Sequence, residues 1–160
     1  NPGVKIETPK VLKRIDASKT LPKDAAALIK EMQTFVYGSL LDNFYIVLNT
    51  TKFKQETKLD LDKVAETSLK LFEQQGATNI IVKTEDFDTQ KGISGKKAYG
   101  TMTIIDKVRN TSTKMYYEVL IFGQNGGIQQ ITVIYEEGDK YGKQISERML
   151  NSVELQTTAQ

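Results

Sequence analysis

Apolar residues recur along this chain with two different spacings, and each change of spacing marks an element. From Asp24 onward, Ala25, Leu28, Ile29, Met32, Phe35 and Val36 keep the three-and-four spacing of a helix face, with Pro22 just upstream where a helix tolerates it. This predicts a helix over 24–40, ended by Gly38 or Asn43. The run Phe44-Tyr45-Ile46-Val47-Leu48 is short, β-branched and aromatic, and predicts a strand over 44–54. Leu61, Val64, Ala65, Leu69 and Phe72 return to helical spacing and predict a helix over 61–75. Asp60 or Asp62 is placed to accept hydrogen bonds from its first amides, and Gly76 to stop it in a left-handed turn.

The remainder reads mainly as strands. Ile80-Ile81-Val82 lies at the centre of a predicted strand over 79–87. Three more strands are predicted over 97–108, 114–122 and 128–136. A polar loop at 109–113 joins the first two, and Gln124-Asn125-Gly126-Gly127 joins the second two, Asn-Gly being a strong hairpin signal. These three form an antiparallel meander. Tyr141, Ile145, Met149 and Val153 lie one turn apart and predict a closing helix over 141–152. Ahead of everything, residues 4–15 mix β-branched and charged positions around Pro9, as an edge strand or a broken pair of short strands does. No repeat or long linker divides the chain. The expectation is one α+β domain over 1–160, a mainly antiparallel sheet flanked by helices, with its core over about 4–155 and a flexible tail at 156–160.

Composition narrows the chemistry. The chain has no cysteine and no histidine, so it cannot by itself form a disulfide, a thiolate nucleophile, the usual structural zinc site or a Ser-His-Asp triad. Acid–base work would fall to carboxylates, lysines or tyrosines with shifted pKa values. Twenty-two basic side chains against 20 acidic ones leave a net charge of +2, scattered along the chain, which offers no basic face for nucleic acid. No apolar run approaches the roughly 20 residues that cross a bilayer. The chain opens Asn1-Pro2-Gly3 without methionine, which reads as processing or trimming and leaves room for a lipid anchor upstream. Absent cysteine suits either an extracytoplasmic or a cytosolic protein. The expectation leans to the periplasm or cell envelope.

Five motif candidates can be weighed residue by residue. "KGISGKKAYG", residues 91–100, suggests a phosphate-binding loop. That motif needs a glycine at position 90, a hydroxyl at 97 and a helix afterwards. Gln90, Lys97 and a predicted strand stand there instead. The stretch reads as a turn in which Gly92 and Gly95 take positive φ angles, with Lys96 and Lys97 near the surface, where alanine replacement costs little. Glu85-Asp86-Phe87-Asp88 resembles the start of a calcium loop, but Lys91 and Lys97 occupy the positions of its glycine and closing glutamate. Glu136-Glu137-Gly138-Asp139 reads as a solvated strand end, with Asp139 helping to start the last helix. Tyr116 and Tyr117 are adjacent in a strand and face opposite sides, so one of them is a candidate binding surface. Asn49-Thr50-Thr51 and Asn110-Thr111-Ser112 are glycosylation sequons that matter only in a glycosylating secretory pathway.

The order of elements carries a resemblance. A strand, a helix beginning Leu59-Asp60-Leu61, a strand, "ISGKKAYG", a three-strand meander and a closing "ISERMLNSVEL" resemble the PsbP-like superfamily over about residues 40–155. The matching features are Ile93-x-Gly95 followed by Ala98, and a terminal helix ending Met149-Leu150-Asn151-Ser152-Val153. That superfamily includes the photosystem extrinsic protein PsbP, a Ran-binding import factor and bacterial envelope proteins or lipoproteins. The resemblance implies an α/β/α sandwich and no shared catalytic site. No motif peculiar to the photosystem branch is present. Together these readings lead to a non-catalytic interaction or accessory module, soluble or envelope-attached, with a protein partner and no nucleic acid. No catalytic, metal or cofactor-binding residue is assigned, no cofactor is expected, and the binding residues are left open. The rival readings are a carrier of a small apolar or lipid ligand between sheet and helix, and a carboxylate-based hydrolase.

Overall fold

The computed structural model describes residues 3–17, 19, 21, 23–55, 58, 60–124 and 126–156. Pro22, Leu59, Asn125 and residues 157–160, which carry sequence expectations, lie outside that range. The elements run β1 (Gly3–Lys5), β2 (Lys13–Ile15), α1 (Lys23–Leu28), β3 (Ile29–Tyr37), β4 (Phe44–Phe53), α2 (Leu61–Gln74), β5 (Ala77–Asp88), β6 (Ser94–Asp106), β7 (Thr111–Gln124), β8 (Gly127–Glu136), α3 (Lys140–Asn151) and β9 (Glu154–Gln156). Seven strands form one antiparallel sheet in the order β2-β3-β4-β8-β7-β6-β5, and β1 pairs with β9 in a small second sheet. The fold is α+β, as expected.

The interior strand β7 explains the layering. Its run Tyr117 to Phe122 is apolar on both sides apart from Glu118, because both faces of the sheet are covered. Val119 and Ile121 point into a cluster with Ala65 and Phe72 of α2. Leu120 and Phe122 point the other way, into a cluster with Met149 and Leu150 of α3 and Val153 just beyond it. The two longer helices therefore cover opposite faces. Asp60 accepts from the amides of Asp62 and Lys63 at the start of α2, and Asp139 from that of Tyr141 at the start of α3. Each satisfies donors that the helix itself leaves free. On α2 the buried positions are Ala65, Ser68 and Phe72. Ser68 survives there because its hydroxyl donates to the Val64 carbonyl and accepts from Gln130 Nε2, each at 2.9 Å.

Two expectations are corrected. The helix over 24–40 stops at Leu28, and Ile29–Tyr37 is strand β3, paired with β4 from Ile29↔Phe53 to Tyr37↔Ile46. A helix here would leave the outer edge of β4 unpaired. Pairing satisfies that edge and buries Thr34, whose hydroxyl donates to Asn49 Oδ1 at 2.8 Å. Tertiary pairing outweighs local periodicity. The closing helix keeps the second half of its predicted stripe and loses the first: Met149 and Val153 are buried, with Gly142, Ser146 and Leu150 beside them, whereas Tyr141 is 78% exposed. Ile81 and Val82, at the centre of the strand predicted over 79–87, lie in β5 on the exposed edge of the sheet.

The broken pair around Pro9 is observed as β1 and β2. Val4, Ile6 and Leu12 from this segment pack against the α3-side cluster, and the Glu7 amide donates to Ser152 Oγ at 2.8 Å.

Candidate functional site

The glycine-rich stretch is a turn followed by strand β6. Thr89 N donates to the Ile93 carbonyl at 2.9 Å and Gly92 N to the Thr89 carbonyl at 3.0 Å, with Gly92 at φ +75°. Gly95 departs from expectation. It lies within β6 without a positive φ, and glycine is required there by proximity. A β-carbon would sit 2.3 Å from the Ile121 carbonyl oxygen, 2.8 Å from Phe87 Cε1 and 3.0 Å from Phe122 Cβ.

The lysines are also more involved than surface residues. Lys96 lies 3.0 Å from Asp86 and 3.5 Å from Asp62, which ties the sheet edge to α2. The hydrogen bond to Asp86, with the two carboxylate charges, raises its pKa. The calcium-loop candidate Asp86 is thereby engaged by a cation of the protein itself. Asn49 is held within the sheet, whereas Asn110 sits in the exposed turn between β6 and β7 at φ +51°.

Lys97 leads to the site that the sequence conceals. Its Nζ lies 3.3 Å from Glu118 Oε1 and 3.7 Å from Glu85, and 5.0 Å from the centroid of the Tyr99 ring. Glu118 sits in the middle of β7 on the α3 side, with its side chain 10% exposed. An ionised carboxylate is costly to bury without partners, and here it has three. Lys97 and the Tyr116 hydroxyl (3.0 Å) reach Oε1, while Ser146 of α3 donates to Oε2 at 2.7 Å. A lone glutamate inside an apolar strand run was the sequence signal for this site, since such a residue is seldom buried unless paired.

Tyr116 and Tyr117 divide as adjacent strand residues do. Tyr117 is fully buried beside Phe72, ring centroids 5.5 Å apart, and its hydroxyl donates to the Ile81 carbonyl at 2.8 Å. Burial pushes its pKa up to about 12. Tyr116 faces the other side and contacts Tyr135, ring centroids 5.2 Å apart, and Tyr135 stacks on Phe44. Desolvation, reinforced by the Glu118 charge, raises the pKa values of both Tyr116 and Tyr135.

These side chains floor a surface cavity of about 280 Å3 at the start of α3. Tyr116, Glu118 and Tyr135 lie at its base. Exposed Glu137, Glu147, Lys140 and Lys143 surround it, together with Asp139. Helix α3 comes this close because residue 142 is glycine: a β-carbon there would lie 2.8 Å from the Tyr135 ring. Four elements thus converge, with Lys97 from β6, Tyr116 and Glu118 from β7, Tyr135 from β8 and Ser146 from α3.

The acids at this cavity are largely committed. Glu118 accepts from its three partners, Asp139 caps α3, and Glu137 pairs with Lys114 at 3.0 Å. Among the described residues, no group of three or more acidic side chains is arranged to hold a metal ion. No helix among them is long and apolar enough to cross a membrane. Larger surface cavities of about 450 and 460 Å3 flank the N-terminal segment and the C-terminal half of α3. Glu7 and Arg148 border both, and Lys5, Lys91 and Glu154 border the second.

No family model matches the chain, and no curated protein matches it significantly. Among solved structures, it is similar to LpqN, described as involved in cell envelope biogenesis of Mycobacterium tuberculosis. The two are 10% identical with a TM-score of 0.51, over 98% of this chain and 85% of that one. At that identity the likeness is one of fold.

Proposed function

We propose that this chain is a non-catalytic accessory module of the bacterial cell envelope, of PsbP-like type, that engages a protein partner through the Tyr116–Glu118–Tyr135 cavity. The observation that carries the reading is the state of Glu118. Its oxygens already accept from Lys97, Tyr116 and Ser146, so it acts as a fixed anchor for Tyr116. The envelope assignment draws on the fold shared with LpqN, itself described as involved in cell envelope biogenesis. The tyrosine rings at the base of the cavity suit a basic side chain of the partner. The carrier reading finds less support, because side-chain clusters fill the space between the sheet and helices α2 and α3.

The test is amide-detected NMR of labelled protein with short arginine-containing and acidic peptides. The arginine peptide is expected to shift Tyr116, Glu118, Tyr135 and Gly138 together, and the acidic peptide to leave them unmoved. Absence of these shifts defeats the cavity assignment. Turnover of a glycoside, ester or phosphoester that is lost in Glu118→Gln overturns the non-catalytic reading.

A further inference from the structure

The seven-stranded sheet ends on one side in three-residue β2 and on the other in twelve-residue β5. Every residue from Ile81 to Asp86 is exposed, with Ile81 at 58% and Val82 at 44%. No strand among the described residues pairs with the outer side of β5. A long open edge presents backbone donors and acceptors to any passing strand, and proteins commonly blunt such edges with charge. Here the charges follow a pattern that one partner can match.

We propose that β5 pairs antiparallel with β5 of a second copy of this chain, in a register centred on Thr84. Two copies that continue one sheet are related by a twofold axis normal to it. That operation keeps each residue on its own face, so only registers centred on a residue are allowed. Centring on Lys83, Glu85 or Asp86 brings identical charges face to face. Centring on Thr84 sets Lys83 opposite Glu85 of the other copy, twice, and Ile81 opposite Phe87, twice, all on the α3 face of the sheet. Opposite charges directly across a strand pair attract, and like charges repel.

The geometry supports this centre. Pairing of β5 with β6 is regular from Ile81 to Asp88, after an irregularity between Thr78 and Ile81, so Thr84 lies mid-stretch. Lys83 has no ion-pair partner among the described residues. Glu85 meets Lys97 only at 3.7 Å and Tyr99 Oη at 3.4 Å, and its side chain is 49% exposed. Its carboxylate can accept a second cation. The contact is small, so the dimer is weak, as transient interfaces are.

The experiment is sedimentation velocity on the full chain across concentration, with circular dichroism to confirm folding. Wild type is expected to pass from monomer to dimer. Lys83→Glu alone and Glu85→Lys alone should each weaken the dimer at least tenfold, and the double reversal should restore it. A second arm uses the absence of cysteine from the chain. In Thr84→Cys the two thiols face each other across the axis, at an antiparallel Cα separation that a disulfide spans. This variant should therefore cross-link under mild oxidation, and a Thr78→Cys control should not. A monomer at every concentration overturns the proposal. So does a dimer indifferent to the single reversals, or equal cross-linking at both cysteine positions.

Discussion

Replacing Gly95 by alanine tests whether glycine is held there by space or by backbone conformation. The added methyl would lie 2.3 Å from the Ile121 carbonyl oxygen, a backbone atom of the neighbouring strand, and 2.8 Å from Phe87 Cε1. A normal carbon–oxygen contact needs close to 1 Å more, so β6 and β7 must part locally beside the Lys96↔Ile121 pair. Overpacking of this kind costs about 1–3 kcal/mol. The clashing oxygen is backbone and cannot swing away, so the upper part of that range, about 2–3 kcal/mol, applies. Removing a glycine from a strand returns about 0.5–1 kcal/mol, which leaves a net loss of about 1–2.5 kcal/mol. For a chain of this length, each kcal/mol corresponds to about 3 °C in melting temperature, so Gly95→Ala is expected to melt about 3–8 °C below wild type. Gly92 is the control, with φ +75° and no atom within 4 Å of an added β-carbon. Asparagine tolerates that left-handed conformation, so Gly92→Asn should melt near wild type, whereas Gly95→Asn should be at least as damaged as Gly95→Ala. Hydrogen exchange should report loosened amides around Ile121 in the Gly95 variants only. A Gly95→Ala protein as stable as wild type, or a Gly95→Asn protein that melts together with Gly92→Asn, refutes the steric argument.

Three further outcomes are expected. Lys97→Ala removes the cation from a largely buried carboxylate and should cost about 1–2 kcal/mol in urea melts. Lys96→Ala, whose partners are solvated, should cost less, and a double-mutant cycle of Lys97→Met with Glu118→Gln should reveal favourable coupling. Tyr117→Phe strips the Ile81 carbonyl of its side-chain donor and should destabilise by about 1 kcal/mol, with faster amide exchange in β5. Alkaline pH should also destabilise the fold. Burial raises Tyr117 to about 12 and raises Tyr116 and Tyr135 as well, while unfolded tyrosines ionise near pH 10. The stabilisation from these groups is complete below about pH 10 and is lost as pH rises toward and beyond 12, because only the unfolded chain readily sheds the protons. Urea melts between pH 9 and 12 check the decline, and tyrosine-to-phenylalanine changes at these positions should flatten it.

Elements defined by local signals were legible in the sequence. Helix α2 has a capping aspartate and a coherent stripe, and β6, β7 and β8 are separated by polar turns, so their boundaries differ by only a few residues. Strand β3 was not legible, because Ile29, Met32, Phe35 and Val36 satisfy helical spacing by coincidence and only the presence of β4 decides the matter. The same limit applies to the site. Alternation along a strand separated Tyr116 from Tyr117, but Glu118, Tyr135, Ser146 and Lys97 meet through strand register and helix placement. Those depend on contacts between residues far apart in sequence. Gly95 was read as a turn glycine for the same reason: the atom that excludes a side chain belongs to Ile121 on another strand.

The pairing of β1 with β9 joins Gly3 to Gln156 and Lys5 to Glu154, so the path of the chain nearly closes into a ring. Forming this contact in the natural order means closing a loop of about 150 residues, a step whose entropy is recovered only late in folding. If a short linker joined these ends and the chain were reopened at the exposed turn 107–110, the slowest contact would become a local hairpin. The meander, now divided between the new ends, would become the distant one. Permutation would thus exchange which part of the sheet assembles first and leave the final architecture intact. The closed path also allows the module to be inserted whole into a surface loop of another protein, entering and leaving at nearly one point.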